Sequence, residues 1–226
     1  MGIVITIDGP AGSGKSTVAC KLAKRLGFIH LNSGALYRAL AFKALESSIS
    51  FSEENELLSL LSKLNFEFKV SSAGETSFLL DGLDITDSLH SADVSSGASR
   101  VAVIPDVREV FFNVQRELLK SGSLVAEGRD AGTVVFPDAS FKFYLDASVE
   151  VRAKRRFDEL SAKGNVEGYS SYEEVVSQLK ERDERDSTRE VAPQKPATDA
   201  KIIDTSNLSI DEVLSLIEEE IQIGKD

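Results

Sequence analysis

Hydrophobic and polar positions change period several times along the chain, and each change marks an element. Ile3-Val4-Ile5-Thr6-Ile7 is a nearly unbroken apolar run of strand length, the pattern of a strand buried on both faces. After a glycine-rich interval, Val18, Ala19, Leu22, Ala23 and Leu26 recur at helical spacing until Gly27 stops the helix. Phe28-Ile29-His30-Leu31 reads as a short second strand, and Ser33 is placed to cap a helix running to about Glu46. Leu57, Leu58, Leu60, Leu61 and Leu64 predict another helix, and a further one spans roughly Asp106 to Lys120. Leu124-Val125-Ala126, Phe141-Lys142-Phe143-Tyr144-Leu145 and Lys201-Ile202-Ile203-Asp204 read as strands. Ser209-Ile210-Asp211-Glu212 is a capping box that opens a last helix carrying Val213, Leu214, Ile217 and Ile221. Strands alternating with helices imply an α/β fold with a mostly parallel sheet.

One stretch breaks the alternation. Asn65-Phe66-Glu67-Phe68-Lys69-Val70 has period two, Gly74 supplies a turn, and Thr76-Ser77-Phe78-Leu79-Leu80 returns. This is an antiparallel insert, and periodicity alone fits a decorative hairpin as well as a substrate-closing flap.

The glycine-rich interval is Gly9-Pro10-Ala11-Gly12-Ser13-Gly14-Lys15-Ser16-Thr17, with the spacing G-x-x-x-x-G-K-S/T. Between a strand and a helix it is a P-loop. Its glycines let backbone N–H groups turn inward on nucleotide phosphates, Lys15 reaches the β/γ oxygens, and the Ser16 hydroxyl is placed to ligate Mg²⁺. The helix N-terminus adds partial positive charge at the same point.

Charge sharpens the picture. With 26 Lys and Arg against 37 Asp and Glu the net charge is −11, which argues against nucleic acid or an anionic membrane as partner. Phosphate binding must then come from locally concentrated arginines. Arg129-Asp130 follows a strand end, where ligands of open α/β sheets gather. Arg152, Arg155 and Arg156 begin a polar helix, and Lys180–Arg189 alternates cations with aspartates. On a helix Arg182, Asp186 and Arg189 share a face, with Arg185 close by. A solvated, salt-bridged helix is the bland alternative; phosphoryl transfer supplies the sharper one, because it must neutralise charge spread over the γ-phosphoryl. Glu127, at the end of the Leu124 strand, falls where P-loop proteins carry an acidic group near Mg²⁺, usually through water.

The remaining chemistry is sparse. Cys20 stands alone, so no internal disulfide forms, and it is expected to pack in the first helix as a small apolar group. His30 and His90 have no metal-ligand spacing and read as structural or surface residues. No apolar run has transmembrane length and no charged-then-apolar leader precedes Ile3, so a cytoplasmic protein is expected. At 226 residues, one core with embellishments suffices, and a monomer needs nothing further.

The chain resembles the bacterial cytidylate kinase (CMP/dCMP kinase) family over essentially its whole length. The matching segments are Ile5–Thr17, Ser33-Gly34-Ala35-Leu36-Tyr37-Arg38, Ser99-Arg100-Val101-Ala102, Val107-Arg108-Glu109, Glu127–Pro137, Lys180–Asp186 and Val191-Ala192-Pro193. The resemblance implies a P-loop NTPase fold with an adenylate-kinase-like five-stranded parallel sheet flanked by helices. It implies a single kinase domain: a core of 1–32, 101–150 and 190–226, an NMP-binding region with the insert at 33–100, and a short lid at 151–189. It also implies transfer of the ATP γ-phosphate to CMP or dCMP. Ser99, Arg108 and Asp130 match the cytosine contacts; Arg38, Arg129 and Arg189 match the arginines on the CMP phosphate. Asp186 matches the ribose partner with Arg182 beside it, and Ser33 another acceptor-pocket position. Lys15, Arg129, Arg182 and Arg185 are the expected catalytic cations, and Arg155 and Arg156 join the P-loop on ATP. Glu127 is one methylene longer than the aspartate of some members. A UMP/CMP kinase is the nearest rival, and a P-loop switch that transfers nothing is a rival of another class, although the Asn-Lys-x-Asp segment of guanine switches is missing.

Overall fold

The computed structural model describes residues 2–70, 76–162 and 171–223. Its centre is a five-stranded, wholly parallel sheet in the order β2-β6-β1-β7-β8. The strands are β1 (Val4–Asp8), β2 (Ile29–Asn32), β6 (Leu124–Gly128), β7 (Phe141–Asp146) and β8 (Lys201–Asp204). β1 and β6 are buried at every residue, which is why they read as continuous apolar runs. Ile7 pairs with Glu127 and Asn32 with the same Glu127, so three strand ends arrive together at one edge of the sheet.

Helices cover both faces. On one, α1 (Lys15–Leu26) and α8 (Ile210–Ile223) pack Val18, Leu22, Val213, Leu214 and Ile217 against Ile5, Ile7, Phe143 and Leu145. On the other, Leu31, Leu124, Ala126, Val135 and Phe136 form a smaller cluster. The expected capping box is present: Ser209 and Glu212 exchange hydrogen bonds at the start of α8.

A second core lies beside the sheet. It joins α2 (Ser33–Glu46), α3 (Glu54–Leu61), α4 (Ala92–Val101) and α5 (Pro105–Leu118) around Leu36, Leu40, Leu57, Val101, Val107 and Phe111. The period-two stretch forms β3 (Phe66–Val70) and β4 (Thr76–Leu80), antiparallel with Phe66 opposite Leu80, and β5 (Leu83–Asp84) completes a three-stranded sheet. Phe66 stacks edge-on against Phe111 at 5.4 Å, so the insert shares the core of α5. The turn expected at Gly74 and the side chain of His90 lie outside the described residues. Leu64 falls beyond the end of α3 but packs on this core.

α6 (Val149–Ala162) and α7 (Tyr172–Thr188) form the last layer, packed through Ala153, Val175 and Leu179. Among the described residues no helix is long and apolar enough to cross a membrane.

Candidate active site

The P-loop is built as its spacing requires. A Cβ on Gly9, at φ +150°, would lie 2.1 Å from the Leu145 carbonyl oxygen, so the loop crosses β7 only because this position is glycine. Gly14 caps α1 at φ +90° and offers no side chain, so the helix N-terminus is left without a side-chain cap and presents its N–H groups to an anion. Lys15 Nζ donates to the Pro10 carbonyl at 3.0 Å. Burial holds its pKa well below the usual lysine range, and the Arg129 guanidinium pushes the same way.

The Ser16 hydroxyl donates to Glu127 Oε2 at 2.6 Å. Glu127 Oε1 lies 3.5 Å from His30 Nε2, and His30 is hydrogen-bonded in turn to the Cys20 thiol. Burial pushes the Glu127 carboxyl up, but His30, Lys15 and Ser16 together outweigh it and keep its pKa below the ordinary value. A hydroxyl beside an ionised carboxylate is a hard oxygen donor pair that suits Mg²⁺. Among the described residues no group of three His, Cys, Asp or Glu could hold a metal by itself, so these two could only complete a shell built on nucleotide phosphates.

The second half of the site gathers residues from α2, α4, α5, the loop after β6 and the end of α7. Asp130 pairs with Arg108 and, at 3.5 Å, with Arg189. Asp186 accepts from Arg129 at 3.0 Å and from Ser99 at 3.3 Å, with Arg182 3.8 Å away. Arg185 donates to the Ser99 hydroxyl at 3.0 Å. Arg108 is 1% exposed, sits over the Tyr37 and Phe112 rings and spends another donor on the Ala102 carbonyl. Burial lowers the pKa of Arg38 and Arg189 and pulls Arg182 to about 10, while the arginines hold Asp186 low against its own burial.

Cations outnumber anions here. Nε of Arg38, Arg108 and Arg182 and the Tyr37 hydroxyl are buried without a hydrogen-bond partner. Buried charge of one sign is stable only with a counter-charge, so the pocket is made for an anion. It forms one cleft of about 900 Å³ with the P-loop, large enough for two nucleotide-sized ligands.

This cleft is lined by Ala11, Gly12, Gly14, Lys15, Ser16, Thr17, Ser33, Arg38, Ser99, Arg108, Glu127, Arg129, Asp130, Arg155, Arg156, Arg182, Arg185, Asp186 and Arg189, the greater part of the expected site. Gly9, Pro10 and Ser13 form the back of the P-loop and do not line it. Arg155 is spent on Thr205 and Arg156 on Glu159. Three expectations need correction. The cap of α2 is Asn32, whose side chain accepts from Ala35 N–H, while the Ser33 hydroxyl donates to Gln115 at 2.6 Å. Arg189 is not on the face of α7: the helix ends at Thr188, and Arg189 joins the cluster from an extended C-cap. Cys20 is exposed rather than packed, and its hydrogen bond to His30 holds the thiol below its ordinary pKa.

Sequence reasoning assigned no individual role to three residues, Arg152 among them although it stands with Arg155 and Arg156 in the polar helix. Arg152 donates to the Ala147 and Ala11 carbonyls and pairs with Asp183 at 2.7 Å, bracing the P-loop against α6 and α7. Gln115 fixes Ser33. Asp8 ties β1 to the loop after β6. What each of them holds leaves no local pattern, because each partner is remote or is a backbone atom.

A P-loop on a parallel sheet, facing a second arginine-rich pocket across one cleft, defines a P-loop phosphotransferase. The fold has relatives among solved kinases: a shikimate kinase from Bacteroides thetaiotaomicron superposes with TM-score 0.51 at 12% identity, covering 98% of this chain and 99% of that one. Residues 5–223 match the cytidylate kinase family model, and the chain belongs to that family. It is 45% identical over 225 residues to a cytidylate kinase of Mannheimia succiniciproducens, covering 98% of each chain. It is 48% identical over 221 residues to one from Pseudomonas fluorescens, covering 97% of this chain and 95% of that one.

Proposed function

We propose that the chain transfers the γ-phosphoryl group of ATP to CMP or dCMP, giving ADP and CDP or dCDP. The observation that carries this is the pairing of a P-loop with a separate cluster of buried arginines around Asp130 and Asp186. A phosphate oxygen of the acceptor is already a competent nucleophile at neutral pH, so no general base is required. Arg38, Arg129 and Arg189 hold that phosphate, aligning it with the donor. Lys15, Arg182 and Arg185 meet the charge that develops on the transferring group. Ser16 and, through water, Glu127 would hold Mg²⁺ on the donor phosphates, where it supplies charge neutralisation.

Asp130 selects the base. A carboxylate has about four lone-pair sites, so those not used by Arg108 and Arg189 remain for the cytosine N4 amino group. Uracil turns a carbonyl toward Asp130 and leaves both groups unsatisfied. Ser99 and Arg108 donate to the other edge of the ring, and Asp186 takes a ribose hydroxyl. In this reading 33–100 binds the acceptor and 151–189 covers the donor, within a cytoplasmic monomer that acts on small molecules. The test is ADP formation with CMP, dCMP, UMP and AMP as acceptors. CMP and dCMP should exceed UMP in kcat/KM by about 100-fold or more. ADP release that no acceptor accelerates would refute the proposal and favour a P-loop switch.

A further inference from the structure

Asp8, the last residue of β1, is 3% exposed and does not line the cleft. Its two carboxylate oxygens accept the N–H groups of Ala131 at 2.8 Å and Gly132 at 2.7 Å. Those are the first two N–H groups of the tight turn 131–135, whose own cap position is Asp130. An aspartate at a cap position ordinarily folds its carboxylate back onto such N–H groups. Asp130 makes no such bond; its carboxylate is engaged by Arg108 and Arg189 in the acceptor pocket. The capping is done instead by a residue 123 positions away.

The fit between the two segments is close. A Cβ on Gly132 would lie 2.7 Å from Thr6 Oγ1 and 3.3 Å from Asp8 Oδ2, so a side chain there would push the turn off β1. The turn is therefore seated by Asp8 and by the lack of a side chain at Gly132.

We propose that Asp8 is a positioning residue for acceptor selection: by capping the 131–135 turn from the neighbouring strand, it leaves the Asp130 carboxylate free to face the acceptor base. This inference rests on the reading of Asp130 as acceptor for the cytosine amino group. Without the Asp8 carboxylate, the nearest substitute cap is Asp130 itself. Turning back to serve its own loop withdraws it from Arg108 and from the base. The donor side is spared, because the Asp8 carboxylate holds the acceptor loop and not the P-loop.

The experiment compares Asp8→Asn with Asp130→Asn, measuring kcat and KM for CMP and UMP at saturating ATP, and KM for ATP at saturating CMP. Asp8→Asn is expected to lower the CMP-to-UMP ratio of kcat/KM at least about tenfold and to raise the CMP KM, with the ATP KM within about twofold of wild type. A residue that served only the fold would depress turnover with both acceptors alike and leave their ratio unmoved. If Asp130→Asn loses the discrimination and Asp8→Asn keeps it, the inference is overturned while the reading of Asp130 stands. If Asp130→Asn keeps it, both are overturned. Should Asp8→Asn not fold, Gly132→Ala displaces the same turn with both carboxylates intact; the same loss of discrimination is expected, and its retention overturns the inference.

Discussion

Arg152 offers the sharpest test of how the donor loop is held. Its side chain is 7% exposed and reaches three partners: the Ala147 carbonyl at 2.9 Å, the Ala11 carbonyl at 3.1 Å and Asp183 at 2.7 Å. Arg152→Met keeps most of the apolar stem and removes the whole guanidinium. Two carbonyl oxygens then lose charge-assisted partners, at about 1–3 kcal/mol each. Asp183 is 23% exposed and can recover water, so its pair adds only about 1 kcal/mol. The expected loss is about 3–7 kcal/mol, read by urea unfolding as a fall of about 1–3 M in midpoint at unchanged m. Arg152→Lys keeps a charge for Asp183 but cannot span both carbonyls, and should fall between. The KM for ATP should rise with the loss of stability, because Ala11 lies in the P-loop. A loss under about 1 kcal/mol at constant m would refute the bracing role, since surface pairs alone account for that much.

Arg129→Ala should lower kcat/KM for CMP at least about tenfold, measured by coupled ADP formation, because it removes a partly buried charge-assisted contact from the proposed acceptor pocket. Gly97→Ala, on the helix that carries Ser99, should cost about 1–3 kcal/mol in denaturation and raise the CMP KM, since a Cβ there would lie 2.4 Å from the Phe51 ring. Burial pushes the Asp8 carboxyl up to about 7, so below that pH the native state takes up a proton that the unfolded chain holds only below about pH 4. Its contribution to stability is full below pH 4 and is lost as pH rises through about 7; unfolding measured at pH 5 and pH 8 should show the wild type losing ground relative to Asp8→Asn. The exposed Cys20 thiol, held low by His30, should react with an aromatic disulfide at pH 7 faster than free cysteine, and His30→Phe should abolish the advantage, both followed by absorbance.

What the chain revealed on its own was what depends on near neighbours. The apolar runs of β1 and β6 and the spacing of Val18, Ala19, Leu22 and Ala23 are local patterns, and they fix strands, helix and P-loop. The exposure of Cys20 belongs to the same local pattern, since helical spacing that turns those four residues inward sets position 20 on the opposite side. Asn32 and Ser33 are both able caps, and only the backbone dihedrals separate them. No glycine marks the end of α7, so the charge pattern ran on through Arg189 unchecked. Arg152 and Arg129 look alike in sequence; one is aimed at carbonyl oxygens and the other into the cleft, and that difference is set by packing 141 residues away.

The three neighbouring strands β2, β6 and β1 end side by side, and each hands its chain directly to one wall of the cleft. Neighbouring strands sit about 4.8 Å apart wherever a backbone ladder forms. The gap between donor wall and acceptor wall is thus gauged by peptide hydrogen bonds, which no side-chain replacement can lengthen. Re-engineering the enzyme for another monophosphate should therefore leave the sheet untouched and rewrite only the 128–132 loop, α4 and the Arg108 position of α5, because the reach of the reaction is already ruled into the main chain.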